Sequence, residues 1–263
     1  MKTNIIYNEE CLRGMKKRIP DNSIDMILAD LPYGTTACKW DSIISLDKLW
    51  KQYKRIIKDR VAIVLTASQP FTTKLISGNM EWFRYEWIWE KDQGTNFLMS
   101  KKQPLKKHEN ILIFYNKQPV YNPQFTDKGS KWTKKNTGNT FTEYLGRMEE
   151  PIYKESKGTK RYPTTTDLHY NTPKQNGEHP TQKPVALFEY LIKTYTNEGD
   201  IVLDNVIGSG TTAVACLKTN RQFIGFEIEE KYYNIALKRI GKFDKKYYEE
   251  LPDKERPIQQ QLF

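Results

Sequence analysis

Two apolar runs far apart in the chain each end in an acid followed by a tight turn, and this pairing constrains the fold more than any other feature. The first is residues 24–34, Ile-Asp-Met-Ile-Leu-Ala-Asp-Leu-Pro-Tyr-Gly; the second is residues 199–212, Gly-Asp-Ile-Val-Leu-Asp-Asn-Val-Ile-Gly-Ser-Gly-Thr-Thr. Short apolar runs bounded by Gly and Pro read as strands covered on both faces. Similar runs occur at 4–7, 61–66, 85–89, 111–115 and 222–228, and helical patterns at 46–57, 70–77, 185–195, 211–218 and 231–240 fall between or after them. Alternation of this kind predicts an α/β fold, a doubly wound and mostly parallel sheet with helices on both faces. Ligands of such sheets sit outside the carboxyl ends of the strands, where the winding reverses. Asp30 and Asp204 both end strands, so they are expected on one rim although 174 positions separate them.

The residues around each acid suggest a chemistry. Asp30 can accept a proton or a hydrogen bond, Pro32 stiffens the turn after it, and Tyr33 offers a flat face for stacking. A planar ring bearing an N–H group is the matching substrate. Asp-x-Pro-Tyr-Gly is also an ordinary turn sequence, and taken alone the turn is the simpler reading. The second segment changes the balance. Gly208 and Gly210 let a backbone approach a ligand closely, and the helix that follows offers N–H groups to an anion such as a carboxylate. Glu227 ends the next apolar run 19 residues after Gly208, where an acid can accept both hydroxyls of a ribose. Together they read as half of a nucleoside-cofactor site.

These residues resemble a known family, the S-adenosylmethionine-dependent amino-methyltransferases of DNA that act on adenine N6 or cytosine N4. The order is the permuted one, with the catalytic motif before the cofactor motif, and the pattern is most like phage and prophage members. Asp30-Leu31-Pro32-Tyr33 is similar to the family's Asp-Pro-Pro-Tyr, and the match continues through Gly34, Thr35, Thr36, Trp40 and Asp41. Asp204 to Gly210 is similar to Asp-x-Phe-x-Gly-x-Gly. His179-Pro180-Thr181-Gln182-Lys183-Pro184 is similar to the segment before the cofactor strand, and Gly225-Phe226-Glu227 with Tyr232 and Arg239 to the ribose-binding strand and its helix. Val206 stands where the family usually has Phe, and Leu31 where it has its first Pro.

The resemblance implies a Rossmann-like methyltransferase fold, S-adenosylmethionine as cofactor and duplex DNA as partner. Asp30 and the Leu31 carbonyl would each accept a hydrogen of the target amine, with Pro32 holding the turn and Tyr33 stacking on a flipped-out base. Asp204, Asn205, Val206, Gly208, Ser209, Gly210 and Thr211 would form the cofactor turn. Thr181 and Lys183 would face the methionine carboxylate, Glu227 the ribose, and Glu10 or its neighbour Glu9 the cofactor's adenine ring. An opening Asp favours adenine, because cytosine-N4 members mostly open the motif with Ser. Cytosine is the close competitor. Two other classes stay open on the residues alone: a dinucleotide-dependent oxidoreductase, since residues 208–213 fit Gly-x-Gly-x-x-Ala, and a non-catalytic DNA-binding relative.

Composition agrees with a polyanionic partner. The net charge is +10, and residues 91–176 hold 16 Lys/Arg against 8 Asp/Glu with aromatic side chains interleaved. From 117 to 176 Gly and Pro interrupt every pattern, which marks an insertion. The expected division is therefore a catalytic half over 1–116, a target-recognition insertion over 117–176, a cofactor-binding half over 177–241 and a tail over 242–263. Cys11, Cys38 and Cys216, like His108, His169 and His179, are too scattered for a metal site. No run is long enough to cross a membrane and no signal-peptide core begins the chain, so a cytoplasmic protein is expected. Members with this motif order often pair, so a homodimer is the family-level expectation.

Overall fold

The computed structural model describes residues 1–34, 42–127, 160–165, 168–173 and 182–243. The larger of its two units begins with β1 (Ile5–Asn8), α1 (Cys11–Arg18), β2 (Ile24–Ala29), α2 (Leu46–Ile56), β3 (Ile57–Ala67) and α3 (Phe71–Gly78). It continues through β4 (Phe83–Thr95) and β5 (Lys106–Phe114). The smaller unit, Pro123–Pro163, contributes β6 (Thr126–Asp127) paired antiparallel with β7 (Lys160–Arg161). The larger unit resumes with β8 (Leu168–His169), α4 (Val185–Tyr195), β9 (Ile201–Asp204), α5 (Thr211–Lys218), β10 (Gln222–Glu227) and α6 (Glu230–Phe243).

Eight strands form one sheet in the order β1-β10-β9-β2-β3-β5-β4-β8. Five neighbouring pairs are parallel, and only β5 runs antiparallel to its partners β3 and β4, so the expected mostly parallel sheet is observed. Side chains alternate between faces along each strand. Met26 and Leu28 of β2, Ala62 and Val64 of β3, and Ile111 and Ile113 of β5 join one core with α4, α5 and α6. Ile27, Ala29, Ile63, Leu65, Leu112 and Phe114 join the opposite core with α1, α2 and α3. Among the described residues, three helices therefore cover each face.

The sequence reading passes over α1 and β8. Helix α1, Cys-Leu-Arg-Gly-Met-Lys-Lys-Arg, is half basic and buries only Cys11, Gly14 and Met15, too few for a clear apolar period. A carboxylate cap starts it instead: both oxygens of Glu10 accept backbone N–H groups, from Leu12 and Arg13, each at 2.8 Å. Strand β8 is two residues long and pairs with β4 at Trp89 and Glu90. It lies within the 117–176 stretch but belongs to the main sheet, so the separate unit is the narrower Pro123–Pro163. Within that unit Phe125 and Tyr162 meet edge to face, 4.8 Å between ring centres.

Candidate active site

β2 and β9 are parallel neighbours, with Met26 beside Val202 and Ile27 beside Leu203. Asp30 follows the end of β2 and Asp204 ends β9, so sheet register brings the two acids to one rim. They line a single cleft of about 1040 Å³. Leu31, Pro32, Tyr33, Glu10, Lys183, Asn205, Val206, Gly208, Ser209, Thr211 and Glu227 line it as well. Gly210 lies just behind, as the N-cap of α5. Thr181, the segment from His179 to Pro180, and Thr35, Thr36, Trp40 and Asp41 lie outside the described residues.

Asp30 is gripped from three directions. Its Oδ1 accepts hydrogen bonds from the Tyr33 hydroxyl at 2.9 Å and from the Thr66 hydroxyl on β3. Its Oδ2 takes the Lys183 ammonium at 2.6 Å. The same ammonium lies 3.3 Å from Glu109 Oε2, and Lys91 holds Glu109 Oε1 at 2.5 Å. Asp30, Lys183, Glu109 and Lys91 thus form a line of alternating charge, with the last three almost wholly buried. Burial opposes charge on Lys183, but Asp30 and Glu109 outweigh it and raise its pKa. Burial likewise pushes Glu109 up, but Lys183 and Lys91 prevail and lower it. Burial, then Asp30 and Glu109, hold the Tyr33 hydroxyl well above its ordinary value, so it remains a donor.

Lys91, Glu109 and Thr66 were not singled out in the sequence, and Lys183 was expected at the methionine carboxylate, whereas its ammonium here engages Asp30 and Glu109. A faint signal existed. Glu109 and Asn110 are polar residues directly before the apolar run 111–114, and Lys91 follows an aromatic strand whose Trp89 pairs with Glu109. Period-2 alternation puts Trp89, Lys91 and Glu109 on one face of the hairpin.

The second acid does different work. Asp204 is 3% exposed and spends its oxygens inside the turn, on the Thr212 hydroxyl and, at 3.1 Å, on the Val206 N–H. Burial raises its pKa to about 7 in spite of those donors. Asn205 likewise points inward: its Oδ1 accepts from the Tyr53 hydroxyl and its Nδ2 donates to Cys11 Sγ. Burial lifts the Cys11 thiol to about 12, which leaves it protonated. Leu31 is 2% exposed and packs with the apolar core, so the side chain that replaces the family's proline is used for packing. Glu10 lines the cleft while its carboxylate caps α1; Glu9 beside it pairs with Arg18.

The turn between β9 and α5 is closed on itself. Gly208 has φ +53° and its N–H donates to Glu227 Oε2 at 2.9 Å, while Gly210, φ +82°, donates to the Ile207 carbonyl at 2.9 Å. These two N–H groups are therefore spent within the turn. Glu227 Oε1 takes the Glu229 N–H at 2.8 Å. Each Glu227 oxygen so takes one N–H and has capacity for one further donor, which makes two acceptors for the two hydroxyls of a vicinal diol. Arg239 of α6 braces the turn from behind, donating to the Ser209 carbonyl at 2.6 Å and its hydroxyl at 2.7 Å. Among the described residues no cluster of His, Cys, Asp and Glu could hold a metal ion, and no helix is long and apolar enough to cross a membrane.

The chain is similar to several known proteins. The Type II methyltransferase M.HpaI of Haemophilus parainfluenzae is 29% identical over 244 residues, 85% of this chain and 70% of that protein. The DNA adenine methyltransferase YhdJ of Escherichia coli K12 is 27% identical over 239 residues, covering 85% of this chain and 78% of that one. The crystal structure of the M1.HpyAVI-SAM complex superposes with a TM-score of 0.61 at 22% identity, over 89% of this chain and 98% of that one, a likeness of fold. The family model described as DNA methylase, N6_N4_Mtase, matches residues 24–238, which takes in both acid-ended strands and everything between them, and the chain belongs to that family.

Proposed function

We propose that the protein transfers a methyl group from S-adenosylmethionine to the N6 amine of adenine in duplex DNA. The carrying observation is that Asp30, fixed by Lys183, Thr66 and Tyr33, shares one cleft with Gly208, Ser209 and Glu227. The cofactor fits the residues present. Glu227 keeps acceptors for a ribose diol, and a cleft of about 1040 Å³ has room for a nucleoside and a base together. When bound, S-adenosylmethionine supplies a methyl group on a positively charged sulfur.

The chain's own residues then govern the amine. An exocyclic amine is a poor nucleophile while its lone pair is delocalised into the ring. A carboxylate has about four lone-pair sites. Tyr33, Thr66 and Lys183 take three on Asp30, and the one remaining accepts an amine N–H, while the Leu31 carbonyl accepts the other. Drawn toward tetrahedral geometry, the nitrogen would aim its lone pair at the methyl carbon; as the C–N bond formed, the methyl–sulfur bond would break with its electron pair left on a neutral thioether sulfur, and Asp30 would accept the surplus proton of the nitrogen. Lys183 stays protonated and keeps Asp30 oriented. Positioning of this kind is worth roughly 7–11 kcal/mol in well-oriented reactions. The base must leave the helix to reach the cleft, and the part of Tyr33 that lines it serves as the stacking surface.

Adenine is favoured by Asp30 as the motif's first residue and by the adenine activity in the name of YhdJ. Residues 1–116 and 177–241 are assigned the catalytic and cofactor halves, and 117–176 target recognition. A cytoplasmic location and a homodimer go with this reading. The test is incubation with methyl-labelled S-adenosylmethionine and unmethylated duplex DNA, then digestion and nucleoside mass spectrometry. Labelled N6-methyldeoxyadenosine, lost in Asp30→Ala with DNA binding kept, is the expected result. Labelled N4-methyldeoxycytidine would replace the adenine assignment, and no label in DNA would end the proposal.

A further inference from the structure

The hairpin that brings Lys91 and Glu109 to the acid line does not stop there. Strands β4 and β5 run on to a connection that leaves Phe97 76% and Leu98 97% exposed, with Met99 and Leu105 also exposed beside them. Adjoining large apolar side chains in water mark a surface that something covers. This tip is already shaped. Thr95 pairs with Lys106 and its hydroxyl donates to the Lys106 carbonyl at 3.0 Å. Asn96 takes the left-handed conformation at φ +69°, and Phe97–Met99 form one 3-10 turn, closed by the Met99 and Ser100 N–H groups at 3.0 Å each. A preformed tip loses little entropy on docking.

The charge around the tip has one sign. Between Gly94 and Lys107 there are four lysines, Lys101, Lys102, Lys106 and Lys107, and no acid. Lys107 is held by Glu90, whereas among the described residues no ion pair engages Lys101, Lys102 or Lys106. The tip is also continuous with the cleft, since Thr95, Asn96 and Lys106 line it together with Asp30. An apolar point between unpaired cations suits an occupant that is apolar inside and anionic along its edges. A DNA duplex has that character, with stacked bases inside and phosphates outside.

Resting on the reading that duplex DNA is the acceptor, we infer that the Phe97–Leu98 tip is a wedge. It enters the base stack where the target base leaves, and Lys101 and Lys102 contact the flanking phosphates. Apolar side chains in the vacated gap offset the lost stacking, which is the main obstacle to extruding a paired base.

The test uses the full chain and a duplex carrying the mapped methylation site, with the target either normally paired or opposite an abasic position. Phe97→Ala/Leu98→Ala should lose roughly ten- to hundredfold in kcat/KM on the paired duplex. It should return to within about threefold of the unsubstituted protein on the abasic duplex, where the stack is already open. Lys101→Ala/Lys102→Ala should lower the slope of log affinity against log salt by roughly 2. No loss on the paired duplex, or an equal loss on both, overturns the wedge. So does a change from dimer to monomer in sedimentation, which would assign the tip to a second copy. If the unsubstituted protein methylates neither duplex, the function proposal itself falls and the wedge with it.

Discussion

The Lys183 ammonium, 2.6 Å from Asp30 Oδ2, joins two residues 153 positions apart and ties the segment after β2 to the segment before α4. Lys183 stands at the entrance to α4, directly before Pro184, and Asp30 at the exit of β2, so the contact depends on α4 packing across the sheet beneath β2.

Removing that cation should be costly. Lys183→Met leaves Asp30 and the buried Glu109 without their shared partner, and an uncompensated buried charge costs roughly 3–5 kcal/mol. The double variant Lys183→Met/Glu109→Gln should recover part of this, because one stranded charge is gone. Urea denaturation of both singles and the double gives the coupling energy; additivity of the two singles would contradict a charge line running from Asp30 to Lys91.

Asp204 sets a pH dependence of the less usual sign. Its folded pKa, about 7, lies above the ordinary 3.8, so the folded protein binds its proton more tightly than the unfolded chain does. Its contribution to stability is complete below the unfolded value and lost as pH rises through the folded one, roughly 4 kcal/mol across the interval. Asp204→Asn removes the titration. Melting temperatures of the two proteins, compared from pH 5 to pH 8, should show the unsubstituted protein losing ground steadily to the variant. A constant difference would mean that Asp204 ionises as readily folded as unfolded.

Two glycines with nearly the same φ separate strain from crowding. Gly199 has φ +84° and open space where a Cβ would stand; Gly210 has φ +82°, and a Cβ there would lie 3.0 Å from Ala236 Cβ and 3.2 Å from its Cα. Gly199→Ala should cost about 1 kcal/mol through the left-handed backbone alone. Gly210→Ala adds a clash with α6, for roughly 2–4 kcal/mol in all. Equal losses in thermal unfolding would show that α6 yields at Ala236.

Arg239 reaches the turn between β9 and α5 without lining the cleft. Arg239→Met would leave the buried Ser209 carbonyl without its donor and loosen the turn, which costs about 1–3 kcal/mol of stability, and the part of it felt by the bound state lowers S-adenosylmethionine affinity in calorimetry by up to roughly 150-fold. Unchanged affinity would place the whole effect in stability.

The sequence alone determined most of the strand and helix succession, though not α1 or the short strands β6, β7 and β8, together with the two acid-ended strands and their common rim. Apolar period and turn residues are local, and in a parallel sheet every strand delivers its carboxyl end to the same edge. Glu227 was legible for the same reason, at a fixed distance along one strand-turn-helix-strand unit. The tertiary structure decided which groups meet those acids. Nothing local in Thr66, Lys91, Glu109 or Lys183 says that they join one network with Asp30. Their meeting depends on β3 lying beside β2, on β5 turning back antiparallel to β3 and β4, and on α4 packing over the sheet. Hydrophobic alternation fixes which face a side chain takes but carries neither strand direction nor strand order. The inward turn of Asp204 and Asn205 was hidden likewise, because an acid at a strand end looks the same in sequence whether it faces a ligand or a buried threonine. Only the packing of α5 and α2 around them fixes that choice, by placing Thr212 and Tyr53 within hydrogen-bonding reach.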